Sequence, residues 1–181
     1  MTAYFTSEAD MWNNATQDIE YKTVVPGYYT LGDFADELIN ILSRSPEAFV
    51  HLLRLSLSKR FGDSEADVHA MISYIANAVG EDELKKQLAT ADLSRALPVT
   101  ERPEVSPDVM CLIDPDGLRL AVILARHMYC DLSETNMQQK KTSEAVLRAG
   151  KGAFVTSFHI DGKVVQVTTK LPSARPYIEL L

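Results

Sequence analysis

The sequence predicts an α+β fold, in which an N-terminal helical bundle is followed by a ββαββ unit that forms an antiparallel sheet. Apolar residues recur every three or four positions through residues 31–91, the period of a helix that buries one face. Two hairpin signals, Asp114-Pro115-Asp116-Gly117 and Asp161-Gly162, lie in the C-terminal part. A polar segment of helical character, residues 133–148, separates them. Together these patterns favour helices followed by one sheet.

Residues 1–30 are predicted to form an aromatic arm that contains one strand. Residues 19–25 alternate and are rich in β-branched side chains, which favours a strand. The arm carries Trp12, Tyr21, Tyr28 and Tyr29. These aromatic side chains have two interpretations: they fill the space between the two halves of the protein, or they bind a partner.

Residues 31–91 are predicted to form an acidic helical bundle. Ser45-Pro46 is typical of a helix start, and Gly62 and Gly80 are typical of helix ends. These signals divide residues 31–91 into four helices with short connections, which predicts that successive helices are antiparallel.

Residues 92–108 are predicted to be a linker because prolines recur there and restrict the residue before each of them. Residues 109–181 are then predicted to form the sheet region. In one interpretation, this region packs with the bundle as one domain. The first hairpin is predicted to join residues 109–113 and 118–125. A helix is the alternative for 118–132, since Leu118, Val122 and Ala125 also fit a helical stripe.

The rest of the sheet region is predicted from clearer signals. A helix is expected from Ser133 to Arg148 and is expected to end at Gly150, since glycine accepts the left-handed backbone of a helix end. The second hairpin joins residues 153–160 and 163–171 through Asp161-Gly162.

The composition is that of an ordinary globular chain, with 46% apolar and 24% charged residues. No apolar run approaches the ~18 residues of a membrane helix, and the first residues do not resemble a signal peptide. Cys111 and Cys130 are therefore expected to be free thiols. The sequence predicts a cytoplasmic protein that does not associate with a membrane.

The net charge of −7 is unevenly distributed along the chain. Residues 1–117 hold 9 Lys and Arg against 20 Asp and Glu, whereas residues 118–181 hold 9 against 5. Such asymmetry has two interpretations: each half meets a partner of opposite charge, or the halves neutralise each other.

The main functional hypothesis is a non-enzymatic protein-binding module, an inhibitor or adaptor of a cytosolic bacterial or phage complex. It would bind a basic partner surface through acidic residues at helix starts. Helix capping alone also selects acids at these positions. The candidate acidic residues are Asp33, Asp36, Glu37, Asp63, Glu65, Asp67, Glu81, Asp82 and Glu83.

The first alternative is a nucleic-acid-binding regulator that uses the basic C-terminal region. Convergent lysines and arginines would give salt-dependent, sequence-independent affinity for phosphates. The candidate residues are Lys140, Lys141, Arg148, Lys151, Lys163 and Lys170.

The second alternative is an enzyme with a site near His127, Cys130 and His159, in which His127 activates the Cys130 thiol. No nucleophile signature surrounds Cys130. No nucleotide or metal signature is present, so neither a cofactor nor a metal is expected. Exposed strand edges would also permit a homodimer.

Overall fold

The structure is a computed structural model that describes residues 31–57, 65–99, 101–113, 117–173 and 175–181. These residues form seven α-helices, one short 3-10 helix at Leu93–Arg95 and a four-stranded mixed sheet, which confirms the α+β class. The predicted arm, residues 1–30 with its strand, lies outside the described residues. The chain divides into two compact units. The first unit contains the described residues up to Arg95 together with residues 117–125. The second unit contains the described residues within 96–114 and 126–181.

The first unit consists mainly of helices. One begins directly after Ser45 and another ends directly before Gly80, as predicted, whereas the predicted helix end at Gly62 lies outside the described residues. The helices are α1 (Leu31–Leu42), α2 (Pro46–Leu57), α3 (Glu65–Val79) and α4 (Glu81–Thr90). Helix α1 contacts α2 and α3, and α4 contacts the same two helices. The apolar period of α1 places Phe34, Leu38 and Ile41 in the core, where each is at most 2% exposed.

The first predicted hairpin is wrong, because both of its segments are helical. They form α5 (Pro107–Ile113) and α6 (Gly117–Met128). Every residue from Leu120 to Ala125 is at most 5% exposed. A continuous apolar run of this kind fits a fully buried strand as well as a buried helix, so its periodicity does not separate the two. The helical alternative for this segment is the one observed.

The sheet contains β1 (Glu104–Val105), β2 (Gly152–Ile160), β3 (Lys163–Leu171) and β4 (Pro176–Leu180), in the spatial order β1-β4-β3-β2. Strand β1 is parallel to β4, and the other pairs are antiparallel. The predicted ββαββ order and the purely antiparallel sheet are therefore wrong. Strand β1 lies in the Pro-containing segment 92–108, and β4 follows the second hairpin.

The second hairpin is confirmed. Ile160 pairs with Lys163 across the turn, and Asp161 and Gly162 both have positive φ, 49° and 76°. Glycine and aspartate tolerate this left-handed backbone, which matches the twist of the flanking strands.

Helix α7 (Met137–Ala149) begins four residues later than predicted and ends at Gly150, as predicted. Asn136 is the N-cap and accepts a hydrogen bond from the Gln139 amide at 2.9 Å. Helix α7 contacts β2, and one face of the sheet is buried through Phe154, Phe158 and Val167. The opposite face carries Ser157, Gln166 and Glu179 in register across three strands.

Candidate functional site

One acidic residue of α1, Asp36, lies beside a tyrosine of α3, Tyr74. Asp33 and Asp36 are exposed, and Glu37 is half-buried. The Tyr74 hydroxyl donates a hydrogen bond to Asp36 Oδ1 at 2.6 Å, although the tyrosine is still 49% exposed. The hydrogen bond and the negative charge of Asp36 raise the pKa of Tyr74. An aromatic ring is thereby held beside a carboxylate at the surface of the first unit.

The acidic first turn of α4 is partly neutralised by its own helix. Glu81 pairs with Lys85 at 3.3 Å, and Glu83 pairs with Lys86 at 3.2 Å. Hydrogen bonds from the side chains of Gln87 and Lys86 lower the pKa of Glu83. Asp82 is exposed. These acids therefore stabilise the start of α4 and also present negative charge to solvent.

The predicted acidic set does not form one patch. Tyr74 lies about one and a half turns before the end of α3, and α4 begins after Gly80. Glu65 and Asp67 lie in the first turn of the 15-residue helix α3, about 20 Å from its end. Asp63 lies outside the described residues. Asp36 and Tyr74 lie together on the α1–α3 pair, and Glu81, Asp82 and Glu83 lie in the first turn of α4. We call these five residues the acidic surface.

The predicted basic set is also divided. Lys163 lies at the turn end of the β2–β3 hairpin, whereas Lys170 pairs with Ala153 at the open end. Lys170 follows Lys163 by seven positions in the strand, which separates the two lysines by about 23 Å. Arg148 lies in the last turn of α7 and Lys151 directly precedes β2, so both lie near the open end with Lys170. We call Arg148, Lys151 and Lys170, all exposed, the basic cluster. Lys140 and Lys141 lie in the first half of α7.

His127 is a buried residue of the second unit, and both of its ring nitrogens are hydrogen-bonded to threonines. Nδ1 lies 2.8 Å from Thr156 Oγ1, and Nε2 lies 2.8 Å from Thr169 Oγ1. The Phe154 ring packs against the imidazole with a centroid distance of 5.1 Å. Burial lowers the pKa of His127 to about 3. The ring is therefore neutral at physiological pH, and its two nitrogens are engaged by hydroxyls.

The geometry gives no support to a Cys130 nucleophile. Burial raises the pKa of the Cys130 thiol to about 11, whereas a reactive cysteine requires a depressed pKa and a nearby cation. His127 is neutral and bonded to threonines. The side chain of His159 is 60% exposed, and its Nδ1 lies 3.3 Å from Glu134 Oε2. The two histidines of the enzyme alternative thus have separate partners.

A buried ion cluster around Arg126 was not predicted from the sequence. Its Nε donates to Asp131 Oδ2 at 2.6 Å and its Nη2 donates to Glu134 Oε1 at 2.7 Å. The guanidinium lies 4.5 Å from the centroid of the Phe158 ring, and the Arg126 side chain is only 8% exposed. The sequence signal was a single arginine directly after six apolar residues, with acids five and eight positions later.

The charges of this cluster compensate one another. Burial opposes ionisation of Arg126, but the charges and hydrogen bonds of Asp131 and Glu134 outweigh it and raise the pKa of the guanidinium. Burial also raises the pKa of Asp131, but hydrogen bonds from Ser133 and the charge of Arg126 lower it by more. Glu134 likewise has a lowered pKa, because the His159 amide and Arg126 outweigh its burial. Removal of one partner from such a cluster would leave a buried charge without compensation, which is strongly destabilising.

Among the described residues, no group of three or more His, Cys, Asp and Glu side chains is arranged to hold a metal ion. None of the helices in the described ranges combines the length and apolar content that crossing a bilayer requires. Comparison of the chain with protein-family models, with curated proteins and with solved structures finds no match.

Proposed function

We propose that this chain is a non-enzymatic protein-binding module, an inhibitor or adaptor, whose acidic surface binds a basic surface of a partner protein. The observation that carries the proposal is Tyr74, a half-exposed aromatic residue held beside the carboxylate of Asp36. Tyrosine is among the residues that contribute most to protein interfaces.

Electrostatics supports the same proposal. The net charge of −7 and the acids at the start of α4 favour encounter with a basic surface. Asp36 orients the tyrosine before binding, so the partner does not have to order a mobile side chain. The intrahelical lysine pairs of Glu81 and Glu83 are exposed, and such pairs contribute little stability that binding would have to displace.

The ionisable groups of the second unit support a non-enzymatic role. Arg126, Asp131 and Glu134 satisfy one another, and the Cys130 thiol is protonated at physiological pH. Free Cys111 and Cys130 accord with the cytosolic setting that we propose.

Affinity capture with the tagged chain, from nuclease-treated and untreated lysate, tests the proposal. We expect a protein partner that survives nuclease and is released as salt rises from about 0.1 to 0.5 M, where the screening length becomes short. Tyr74→Ala should reduce binding of the purified partner about tenfold or more, and Asp82→Asn should reduce it several-fold. Glu144→Gln is the matched control, because it removes one exposed acid from α7.

Binding that is unaffected by Tyr74→Ala and Asp82→Asn would contradict the acidic surface as the binding site. Loss of captured proteins after nuclease would instead favour the second candidate, a nucleic-acid-binding regulator. The observation in favour of that candidate is the basic cluster, which gathers Arg148, Lys151 and Lys170 at one end of the second unit. Homodimer formation stays a prediction.

A further inference from the structure

The outer edge of β2 has its backbone hydrogen bonds made by side chains instead of by another strand. β2 is the last strand in the spatial order of the sheet. The Val155 amide donates to Ser143 Oγ at 3.1 Å, and that hydroxyl donates to the Val155 carbonyl at 2.7 Å. The Ser157 amide donates to Thr135 Oγ1 at 3.1 Å. The His159 amide donates to Glu134 Oε2 at 2.7 Å.

These three amides belong to alternate residues, so they all point away from β3. Successive backbone groups of a strand point to opposite sides, and the intervening residues bond to the neighbouring strand. At this edge, Glu134, Thr135 and Ser143 therefore provide the hydrogen-bonding groups that an additional strand would otherwise provide. We call these three residues the edge cover.

The edge cover is held rigidly by the rest of the second unit. Ser143 is 1% exposed and Thr135 is 7% exposed. The other carboxylate oxygen of Glu134, Oε1, accepts a hydrogen bond from Arg126 Nη2. The Asn136 cap sets the start of α7 directly after Thr135. These side chains are therefore in place before any partner approaches.

The sequence of β2 lacks the usual protection of an edge strand. Natural edges are blunted by charged residues, prolines or short length. From Gly152 to Ile160 the strand contains no Asp, Glu, Lys, Arg or Pro and is rich in aromatic and β-branched residues. Such segments pair readily with copies of themselves. At the opposite edge, β1 is only two residues long.

We propose that Glu134, Thr135 and Ser143 keep a second copy of this chain from pairing with it through β2. The partner excluded is another β2, because two copies of the same edge can pair antiparallel about a two-fold axis, the commonest symmetry of dimers. The proposal is independent of the acidic surface, which lies in the first unit.

The double variant Thr135→Val and Ser143→Ala tests the proposal in the full chain. Both changes nearly conserve volume and remove the hydroxyls that bond to β2. We expect the Val155 and Ser157 amides to exchange hydrogen about tenfold faster or more at low protein concentration, because their acceptors are lost. Sedimentation velocity should then show a dimer whose fraction rises with protein concentration.

Two controls separate loss of the edge cover from general damage. Thr135→Ser keeps the accepting oxygen and should sediment as the unaltered chain does. Thr168→Val removes a threonine hydroxyl from β3 and should also leave the sedimentation unchanged. Circular dichroism establishes that each variant is folded.

Faster exchange at Val155 and Ser157 without any new association would overturn the proposed role. Unchanged exchange at these amides would overturn the assignment of Thr135 and Ser143 as their acceptors. If the double variant does not fold, Thr135→Val alone is compared with Thr135→Ser at the Ser157 amide and by sedimentation, and the same two outcomes decide.

Discussion

Both ring nitrogens of His127 are hydrogen-bonded to threonine hydroxyls inside the second unit, and this single side chain makes stability depend on pH. A neutral imidazole donates from one nitrogen and accepts at the other, so one threonine accepts and the other donates. A proton added to the ring would convert the accepting nitrogen into a donor and place a charge in the core. Burial therefore holds the pKa of His127 in the folded state near 3.

We predict that the free energy of unfolding decreases as pH falls from 6.5 to 4.5. The pKa of His127 is about 3 when folded and near 6.5 when unfolded, so within this window the unfolded chain binds a proton that the folded chain does not. The contribution of neutral His127 is complete above the unfolded pKa and is lost as pH falls, by up to about 1.4 kcal/mol per pH unit. Denaturant titrations at several pH values measure this slope.

His127→Gln is the comparison for this measurement, because an amide can donate and accept without titrating. Its slope between pH 6.5 and 4.5 should be smaller than that of the unaltered chain. Asp131 and Glu134 have lowered pKa values in the folded state, so the stability that they contribute is lost mainly below about pH 4. Equal slopes in the two proteins would contradict the assignment of this effect to His127.

At the scale of elements, the end of α6 is set by a backbone motif that the sequence conceals. The Cys130 amide donates to the His127 carbonyl at 3.0 Å, and the Asp131 amide donates to the Arg126 carbonyl at 2.9 Å. This pair of bonds is a Schellman ending, in which glycine usually occupies the left-handed position. Here that position is Cys130, with φ of 58°. The reversal of the chain brings Asp131 back to the side chain of Arg126.

We predict that Cys130→Val is less stable than Cys130→Gly by about 1–2 kcal/mol. A β-branched side chain is strained in the left-handed region, whereas glycine occupies it freely. Thermal unfolding of the two variants measures the difference, and Cys130→Ala serves as the unbranched control. A valine variant as stable as the glycine variant would show that the ending of α6 does not depend on this conformation.

Local signals predicted those elements whose ends or faces are marked in the sequence. Asp161-Gly162 and Gly150 require positive φ, and helix α1 buries a regular stripe, so each was found from sequence. α6 was mistaken for a strand because all of Leu120–Ala125 is buried. The start of α7 was predicted too early, since Glu134 and Thr135 bond to distant β2 amides instead of beginning a helix turn.

The candidate site residues were also only partly predictable, because their partners in the fold are distant in sequence. The structure places Asp33 in the first turn of α1 and Glu81, Asp82 and Glu83 in the first turn of α4. The distances between these acids depend on how the helices pack, which the apolar period does not specify. Tyr74 was not singled out, because nothing local links it to Asp36, 38 residues earlier. The partners of Arg126 were likewise hidden until the end of α6 reversed the chain.

At the scale of the whole molecule, the topology of the sheet was the least predictable feature. β4 lies between β3 and β1, and its partner on one side comes from a segment that its prolines marked as a linker. Val105 pairs with Ile178, 73 residues later. No local pattern specifies such a pairing, because both strands are short and the register is fixed only when the sheet is assembled.

We predict that Ile178→Ala destabilises the second unit by about 2–5 kcal/mol. Ile178 is 0% exposed in a strand paired on both sides, so its truncation leaves a cavity that the sheet cannot close. Denaturant unfolding followed by circular dichroism measures the loss. Leu181→Ala is the control, because Leu181 is 69% exposed and its change should cost well under 1 kcal/mol. Similar losses in the two variants would contradict the central position of β4.

The parallel pairing of β1 with β4 also imposes an order in time on a chain that emerges from the ribosome. At synthesis rates of 5–20 residues per second, roughly 4–15 s separate the appearance of Val105 from that of Ile178. During that interval β2 and β3 can already form their hairpin, while β1 has no strand beside it. β1 can therefore join the sheet only after β4 has been synthesised.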